Sequence, residues 1–365
     1  MKVISLELSD FRNYITQSIE LGEGVNVIFG DNAQGKTNIL EAVYFFAMGK
    51  SNRARKDAEL IRHGENRAYI KLEFADSERE NILEAEIFSD KRKRILINEI
   101  PIRKNSELVR RFNVVYFGPE NLGLVKEGPS VRRKNIDFLI SQIKPGYLAA
   151  LSDLKKIVES KNALLRMEHS NLTMLDIMDE KLTAVSVNII MYRALYISRI
   201  ERIAQEIQKD ISNGAETLEI KYQSCIGDVR NMDLDAIKKT LADKIAESRN
   251  REIKLCESVI GPHREDIVYL INGEEAKLYA SQGQQKTIVM SQKLAEVELM
   301  ADEIGEKPVL LLDDIMSELD KTRREYILKN IENMQILITC TDLEGIKIPE
   351  NAVQIEVING KAERI

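Results

Sequence analysis

The sequence predicts an α/β fold in which one domain is built from both ends of the chain around an inserted, mainly helical arm. Three observations carry this. A short apolar run, Val25–Phe29, stops at Gly30, and helical spacing follows over residues 37–48 until Gly49 closes it. The same strand and helix alternation returns only after residue 284. Between them, from about residue 129 to 211, the apolar spacing is helical.

Each element then follows in order. Residues 2–8 alternate and read as a strand ahead of Val25–Phe29. Residues 68–74 and 82–88 are further strands, Arg94–Ile97 and residues 100–102 form a hairpin turning at Asn98-Glu99, and Val114–Phe117 is a buried strand. Pro129 occupies a first-turn position of the helical region. Residues 147–211 number 65, enough for two helices of about 30 residues and roughly 45 Å each, which permits a short arm and excludes a long coiled coil. After Asn213-Gly214 come a strand at 217–223, a helix at 234–251 and a hairpin turning at Asn272-Gly273. A helix at 284–302, a strand at 309–312, a helix at 322–333 and strands at 336–339 and 353–357 complete the chain. On this reading residues 1–120 and 255–365 form the α/β domain and residues 121–254 the arm.

Composition bounds the function. A chain of 365 residues, 44% hydrophobic and 31% charged, suits a globular protein of two or three domains rather than a disordered or collagen-like one. The longest apolar run, residues 42–48, is far short of the roughly 18–20 that a membrane span needs, so no membrane role is expected. The N-terminus alternates from its third position, unlike a signal peptide. Cys225, Cys256 and Cys340 form no CxxC pair, which argues against a zinc ribbon or disulfide framework and for a reducing cytoplasm. His63, His169 and His263 lie too far apart for a metal motif. The net charge of −6 hides a split: residues 1–150 carry 24 basic and 21 acidic side chains, residues 151–365 carry 29 and 38. Basic clusters at Arg53-Ala54-Arg55-Lys56, Lys91-Arg92-Lys93-Arg94, Arg110-Arg111 and Arg132-Arg133-Lys134 make a nucleic-acid face compatible with the acidic total.

Gly30-Asp31-Asn32-Ala33-Gln34-Gly35-Lys36-Thr37 matches GxxxxGK[ST] and sits between a strand and a helix, where a phosphate-binding P-loop belongs. Glycines let successive N–H groups converge on phosphate oxygens, and the helix N-terminus adds its positive end. Lys36 brings a charge to the β and γ phosphates of ATP, and the Thr37 hydroxyl is a Mg²⁺ ligand. Val309-Leu310-Leu311-Leu312-Asp313-Asp314 is an apolar strand ending in two carboxylates, a Walker B pattern. Here Asp313 holds Mg²⁺ through water and Asp314 is the catalytic carboxylate that polarises the attacking water.

Ser281-Gln282-Gly283-Gln284-Gln285-Lys286, ahead of a helix and upstream of Walker B, resembles the signature of ABC-type ATPases, usually LSGGQ, with Ala280 for the leucine and Gln282 for the first glycine. In that superfamily the signature meets the γ-phosphate bound by the opposite subunit, so the resemblance adds Ser281, Gly283 and Gln284 to the ATP-binding residues and implies an ABC-type P-loop ATPase head. An N-cap serine is the plain alternative for Ser281. Ser317-Glu318-Leu319-Asp320 has the form of the D-loop, with helix capping as its alternative, and no switch histidine stands in Ile338-Thr339-Cys340-Thr341-Asp342. From Lys36 to Ser281 is 281 − 36 = 245 positions, too long for a compact transporter subunit and too short for an SMC protein.

Along nearly its whole length the chain resembles the RecF family of bacterial recombination mediators. The residues that carry this are Phe11-Arg12-Asn13-Tyr14, the P-loop with Asn38-Ile39-Leu40-Glu41-Ala42, Phe117-Gly118-Pro119-Glu120-Asn121-Leu122, Gly261-Pro262-His263-Arg264-Glu265-Asp266, the signature and the Walker B segment. Glu265 and Asn135 depart from the usual residues. The resemblance implies an ATP-dependent DNA-binding protein that acts at single-strand gaps and stalled forks with RecR and RecO. It further implies a slow, DNA-stimulated ATPase that dimerises around two ATP molecules. An SMC-like structural clamp and a transporter-type ATPase subunit are the alternatives.

Overall fold

A computed structural model of the chain describes residues 1–167, 171–330, 334–343 and 348–365. The chain divides into two compact units, Met1–Leu122 with Lys293–Ile365, and Gly123–Gln292.

In chain order the first unit opens with β1 (Lys2–Phe11), β2 (Tyr14–Glu20), β3 (Val25–Phe29), α1 (Lys36–Met48), β4 (Arg67–Ala75), β5 (Glu80–Phe88), β6 (Arg94–Ile97), β7 (Ile100–Pro101) and β8 (Val114–Phe117). The second unit holds α2 (Gly123–Lys126), α3 (Pro129–Ile143), α4 (Pro145–Leu165), α5 (Leu172–Ile211), β9 (Leu218–Gln223), α6 (Leu234–Leu255), β10 (Asp266–Ile271), β11 (Glu274–Glu275) and α7 (Ala276–Tyr279). The division falls inside α8 (Gln282–Ile304), after which the first unit resumes with β12 (Val309–Asp313), α9 (Lys321–Lys329), β13 (Ile336–Cys340), β14 (Val353–Ile358) and β15 (Lys361–Arg364).

Two sheets build the first unit among the described residues. One runs β2-β1-β4-β5-β6-β7, antiparallel throughout, and β4 and β5 bury alternate residues as a half-covered sheet does. The other runs β15-β14-β3-β13-β12-β8, parallel from β14 to β8. Every residue of β8, β12 and β13 is buried, the mark of a parallel sheet covered on both faces. α1 is buried on almost every side. Its C-terminus ends at Gly49 in the left-handed region, and Lys93 Nζ donates to the Gly49 carbonyl at 2.6 Å, placing a cation at the negative end of the helix.

Buried charges knit the second unit. Lys161 of α4, with no exposed surface, pairs with Asp179 of α5 and Glu252 of α6, each at 2.6 Å. Arg193 of α5 holds Asp137 of α3 at 2.9 Å, the Pro262 carbonyl at 2.6 Å and Glu265 at 3.1 Å. Glu265 also accepts from Ser224 Oγ, the Cys225 N–H and Tyr222. Removing one partner from such a cluster costs about 3–5 kcal/mol, because the other charge stays buried.

Several elements differ from expectation. The two arm helices are 21 and 40 residues long instead of equal. β2 leaves no alternation in the sequence, because only Tyr14 and Ile19 of its seven residues are buried. Residues 255–292, expected with the α/β domain, pack with the second unit, where β10 pairs with β9 along six residues. The helix expected at 322–333 ends at Lys329, and its last three residues, like His169, lie outside the described residues.

Candidate nucleotide site

The parallel sheet sets the site. Its register aligns Leu312 with Phe117 and Ile338, Asp313 with Thr339, and Cys340 with Phe29, so β8, β12, β13 and β3 end together. Ligands of open α/β sheets bind at these carboxyl ends. The loop leaving β3 is residues 30–37. Gly30 and Gly35 take φ of +144° and +119°, and Ala33, at φ 65°, also lies in the left-handed region. A Cβ on Gly30 would run into the Val357 carbonyl, and one on Gly35 would lie 2.6–2.8 Å from Asn13 and Tyr14 side-chain atoms. These glycines are fixed by close approach as well as by φ.

α1 begins at Lys36 with no side chain capping it, in contrast to α5, α6 and α9, which Asn171, Asp233 and Asp320 cap. No side chain therefore competes with an anion at the start of the helix, although the Asn38 N–H already turns back to the Gly35 carbonyl at 2.9 Å. Lys36, 3% exposed, donates from Nζ to the carbonyls of Gly30 at 2.6 Å and Asp31 at 2.8 Å. The ammonium is therefore folded back over the loop. Asn32 and Ala33 are exposed at the loop tip.

The Walker B carboxylate is the junction. Asp313 Oδ1 accepts from Thr37 Oγ1 at 2.9 Å and from Thr339 Oγ1 at 2.7 Å, and its Oδ2 accepts from Tyr116 OH at 2.9 Å. Three strands and the P-loop helix meet on one side chain. Asp314, held at φ 49°, donates its N–H to Thr339 Oγ1 at 2.9 Å. Its carboxyl pKa is raised by burial and by the neighbouring Asp313 against the pull of Lys36. Burial likewise pushes the Tyr116 hydroxyl far above the usual phenol range, so it stays a donor. A hydroxyl and a carboxylate 2.9 Å apart beside an uncapped helix N-terminus are hard oxygen donors of the type Mg²⁺ takes, and the donor set fits that ion.

Ser281, Gly283 and Gln284 belong to the other unit. Ser281 is exposed; its Oγ accepts the Gln284 N–H at 3.2 Å, and its own N–H donates to Gln284 Oε1 at 2.9 Å, a reciprocal cap at the start of α8. The D-loop residues cap too: Ser317 Oγ donates to the Asp314 carbonyl and Asp320 caps α9. Thr341 is exposed and donates to Asp342.

Tyr116 and Thr339 join the site without a sequence motif of their own. Both occupy strands adjacent to β12, and the only trace of them in sequence is a polar atom inside an otherwise apolar buried strand.

The residues of the basic clusters have different surroundings. Arg132 is a bidentate partner of Asp266 at 5% exposure, and Arg133 donates to the Glu265 carbonyl, so these two are scaffolding, whereas Lys134 is exposed. Lys93 caps α1 and pairs with Asp57. Arg94 lies 3.7 Å from Glu86, and Lys91 sits 3.9 Å over the Phe88 ring. Lys91, Arg92, Arg53, Arg55 and Lys56 remain on the surface. His263 is partly buried, and burial lowers its pKa to about 4, leaving it neutral near pH 7.

The parallel sheet, the phosphate loop and the Walker B junction define the class: an ABC-type ATPase head of the SMC-like kind. The RecF/RecN/SMC N terminal domain family matches residues 2–363. The DNA replication and repair protein RecF of Clostridium perfringens is 41% identical over 365 residues, covering all of both chains, and that of Clostridium tetani is 39% identical over 364 residues, covering 99% of each. A solved structure of the recombination mediator protein RecF with ATP in the RecFOR pathway superposes with a TM-score of 0.93 at 35% identity, over 100% of this chain and 97% of that one. An SMC head bound to the C-terminal winged-helix domain of ScpA shares the fold at a TM-score of 0.58, 16% identity, and coverage of 100% and 97%. The chain belongs to the RecF family.

Proposed function

We propose that this chain is an ATP-dependent DNA-binding recombination mediator that acts in the cytoplasm at single-strand gaps and stalled forks. In this reading it partners RecR, with RecO in the same pathway, and helps load the recombinase. It is a slow, DNA-stimulated ATPase in which two copies close around two ATP molecules.

The observation that carries the ATP part is the 2.9 Å junction of Thr37 with Asp313, which joins the phosphate loop to the Walker B strand. Lys36 exchanges the Gly30 and Asp31 carbonyls for phosphate oxygens, and the uncapped start of α1 receives the same group. Thr37 and Asp313, the latter through water, would hold a magnesium ion here, which when bound would neutralise charge on the β and γ phosphates. Asp314, half-buried with its basicity raised, orients the attacking water by accepting its proton in a hydrogen bond. Tyr116 and Thr339 hold Asp313 so that Asp314, the next residue, cannot swing away.

The dimer part rests on the signature. Ser281 is exposed and follows Leu278 and Tyr279, which are 66% and 68% exposed, and a second copy supplies the surface that covers them. Lys36→Met tests the reading: calorimetry with Mg·ATP should show affinity falling at least tenfold with the fold intact, and binding equal to wild type would remove the P-loop from it.

A further inference from the structure

Within the phosphate loop, Gln34 is gripped from behind. Its carbonyl oxygen accepts from Asn13 Nδ2 at 2.7 Å and from the Gly360 N–H at 3.3 Å, and its Oε1 accepts the Asn359 N–H at 2.6 Å. These donors come from two hairpin turns near opposite ends of the chain. Phe11 pairs with Tyr14 around Arg12-Asn13, and Ile358 pairs with Lys361 around Asn359-Gly360. Asn359 and Gly360 have φ of 49° and 71°, the both-positive pattern of a two-residue type I′ turn. Such a turn leaves its two central N–H groups outside the ladder, and here both reach Gln34.

The two turns also touch each other. A Cβ on Gly360 would lie 2.7 Å from the Asn13 carbonyl oxygen, so the second turn tolerates only glycine there. The seam continues along the sheet edges. Gln17 of β2 donates to the Ala362 carbonyl at 2.8 Å and accepts its N–H at 3.0 Å, joining the antiparallel sheet to β15 of the parallel one. Next to it, the Val357 carbonyl lies against Gly30.

We propose that these turns form a clasp that holds the phosphate loop in its binding shape. Asn13, Gln34, Asn359 and Gly360 are then positioning residues for ATP, and the last hairpin of the chain is a working part of the nucleotide site. The inference rests on the ATP reading above. Its physical basis is preorganisation: a loop with glycines at both ends loses much freedom when it closes on phosphate, and a backing held in advance removes that cost from binding.

The experiment measures the ATP dissociation constant by calorimetry with Mg²⁺, well below the melting temperature, in the full chain. Gln34→Leu deletes the acceptor for Asn359, and Asn13→Ala deletes the donor to the Gln34 carbonyl together with the acceptor of Asn38 Nδ2. Each should raise the dissociation constant about fivefold, the worth of one hydrogen bond. Because both act through one residue, the double variant should fall short of the product of the two. Gly360→Ala should raise it at least tenfold, and Lys50→Ala, exposed beyond the end of α1, should leave it unchanged. A merely structural role would lower the melting temperature and leave the affinity of the folded protein unmoved. Wild-type affinity in Gln34→Leu and Asn13→Ala, with binding lost in Lys36→Met, would overturn the clasp and leave the ATP reading standing. No ATP binding by the wild type would overturn both. If Gly360→Ala fails to fold, the other two variants, which strain no backbone, decide the matter.

Discussion

Thr339→Val isolates the joint at the centre of the site. Valine has nearly the same shape, so the change opens no cavity and removes only a hydroxyl. That hydroxyl donates to Asp313 Oδ1 at 2.7 Å and accepts the Asp314 N–H at 2.9 Å, with Thr339 fully buried. A hydrogen bond to a carboxylate is worth about 1.5–3 kcal/mol and a neutral one about 0.5–1.5 kcal/mol, so the two together come to about 3 kcal/mol. For a unit of this size that lowers the melting temperature by about 6–12 °C. The functional effect should exceed the thermal one. Without its N–H partner the left-handed Asp314 backbone is no longer held, and turnover at saturating ATP should fall more than tenfold. ATP affinity, carried by Lys36 and the start of α1, should change less than threefold. Thr339→Ser should restore most of both losses. Differential scanning calorimetry and a phosphate-release assay read the two quantities. A Thr339→Val protein with the melting temperature and turnover of the wild type would refute the assignment of Thr339 to the Walker B joint.

Three further outcomes follow from the structure. Asp314→Asn keeps the shape but cannot accept a proton, so phosphate release should slow by about 10²–10⁴-fold while calorimetry shows Mg·ATP binding intact; hydrolysis at the wild-type rate would place the catalytic carboxylate elsewhere. Reversing Lys91 and Arg92 to Glu should weaken DNA binding and flatten the slope of log affinity against log salt by about 2, if both meet phosphates. Arg132→Glu, in contrast, should unfold the second unit, since Arg132 is the buried partner of Asp266.

What the sequence shows and what it hides divide along physical lines. Val25–Phe29, Arg94–Ile97 and Val114–Phe117 are bounded by turn residues, and the strands in the structure have those limits. The turns at Asn98-Glu99 and Asn272-Gly273 were legible from composition, and all four residues take positive φ. β2 was illegible because a polar edge strand buries too few residues to show a period. The arm helices were misdivided because helical spacing reports that a residue is helical and not where one helix stops. Within the candidate site, Gly30, Lys36, Thr37 and Asp313 sit in local patterns whose chemistry needs that spacing. Tyr116, Thr339 and the turn at Asn359-Gly360 come from strands and hairpins made adjacent only by sheet order, and that order is not written in any local stretch.

In the proposed function each chain binds ATP through its own P-loop and completes the site with Ser281 of a second copy. Mass in solution by sedimentation tests it most directly, with and without Mg·ATP, on the wild type and on Ser281→Arg. The wild type should double its mass with ATP, whereas Ser281→Arg should bind ATP, stay a monomer and lose turnover. Mixing Ser281→Arg with Lys36→Met should recover at most one working site per heterodimer. A Ser281→Arg protein that dimerises with ATP as the wild type does, or wild-type turnover per chain that does not change as the protein is diluted through its dimer dissociation constant, would contradict the account.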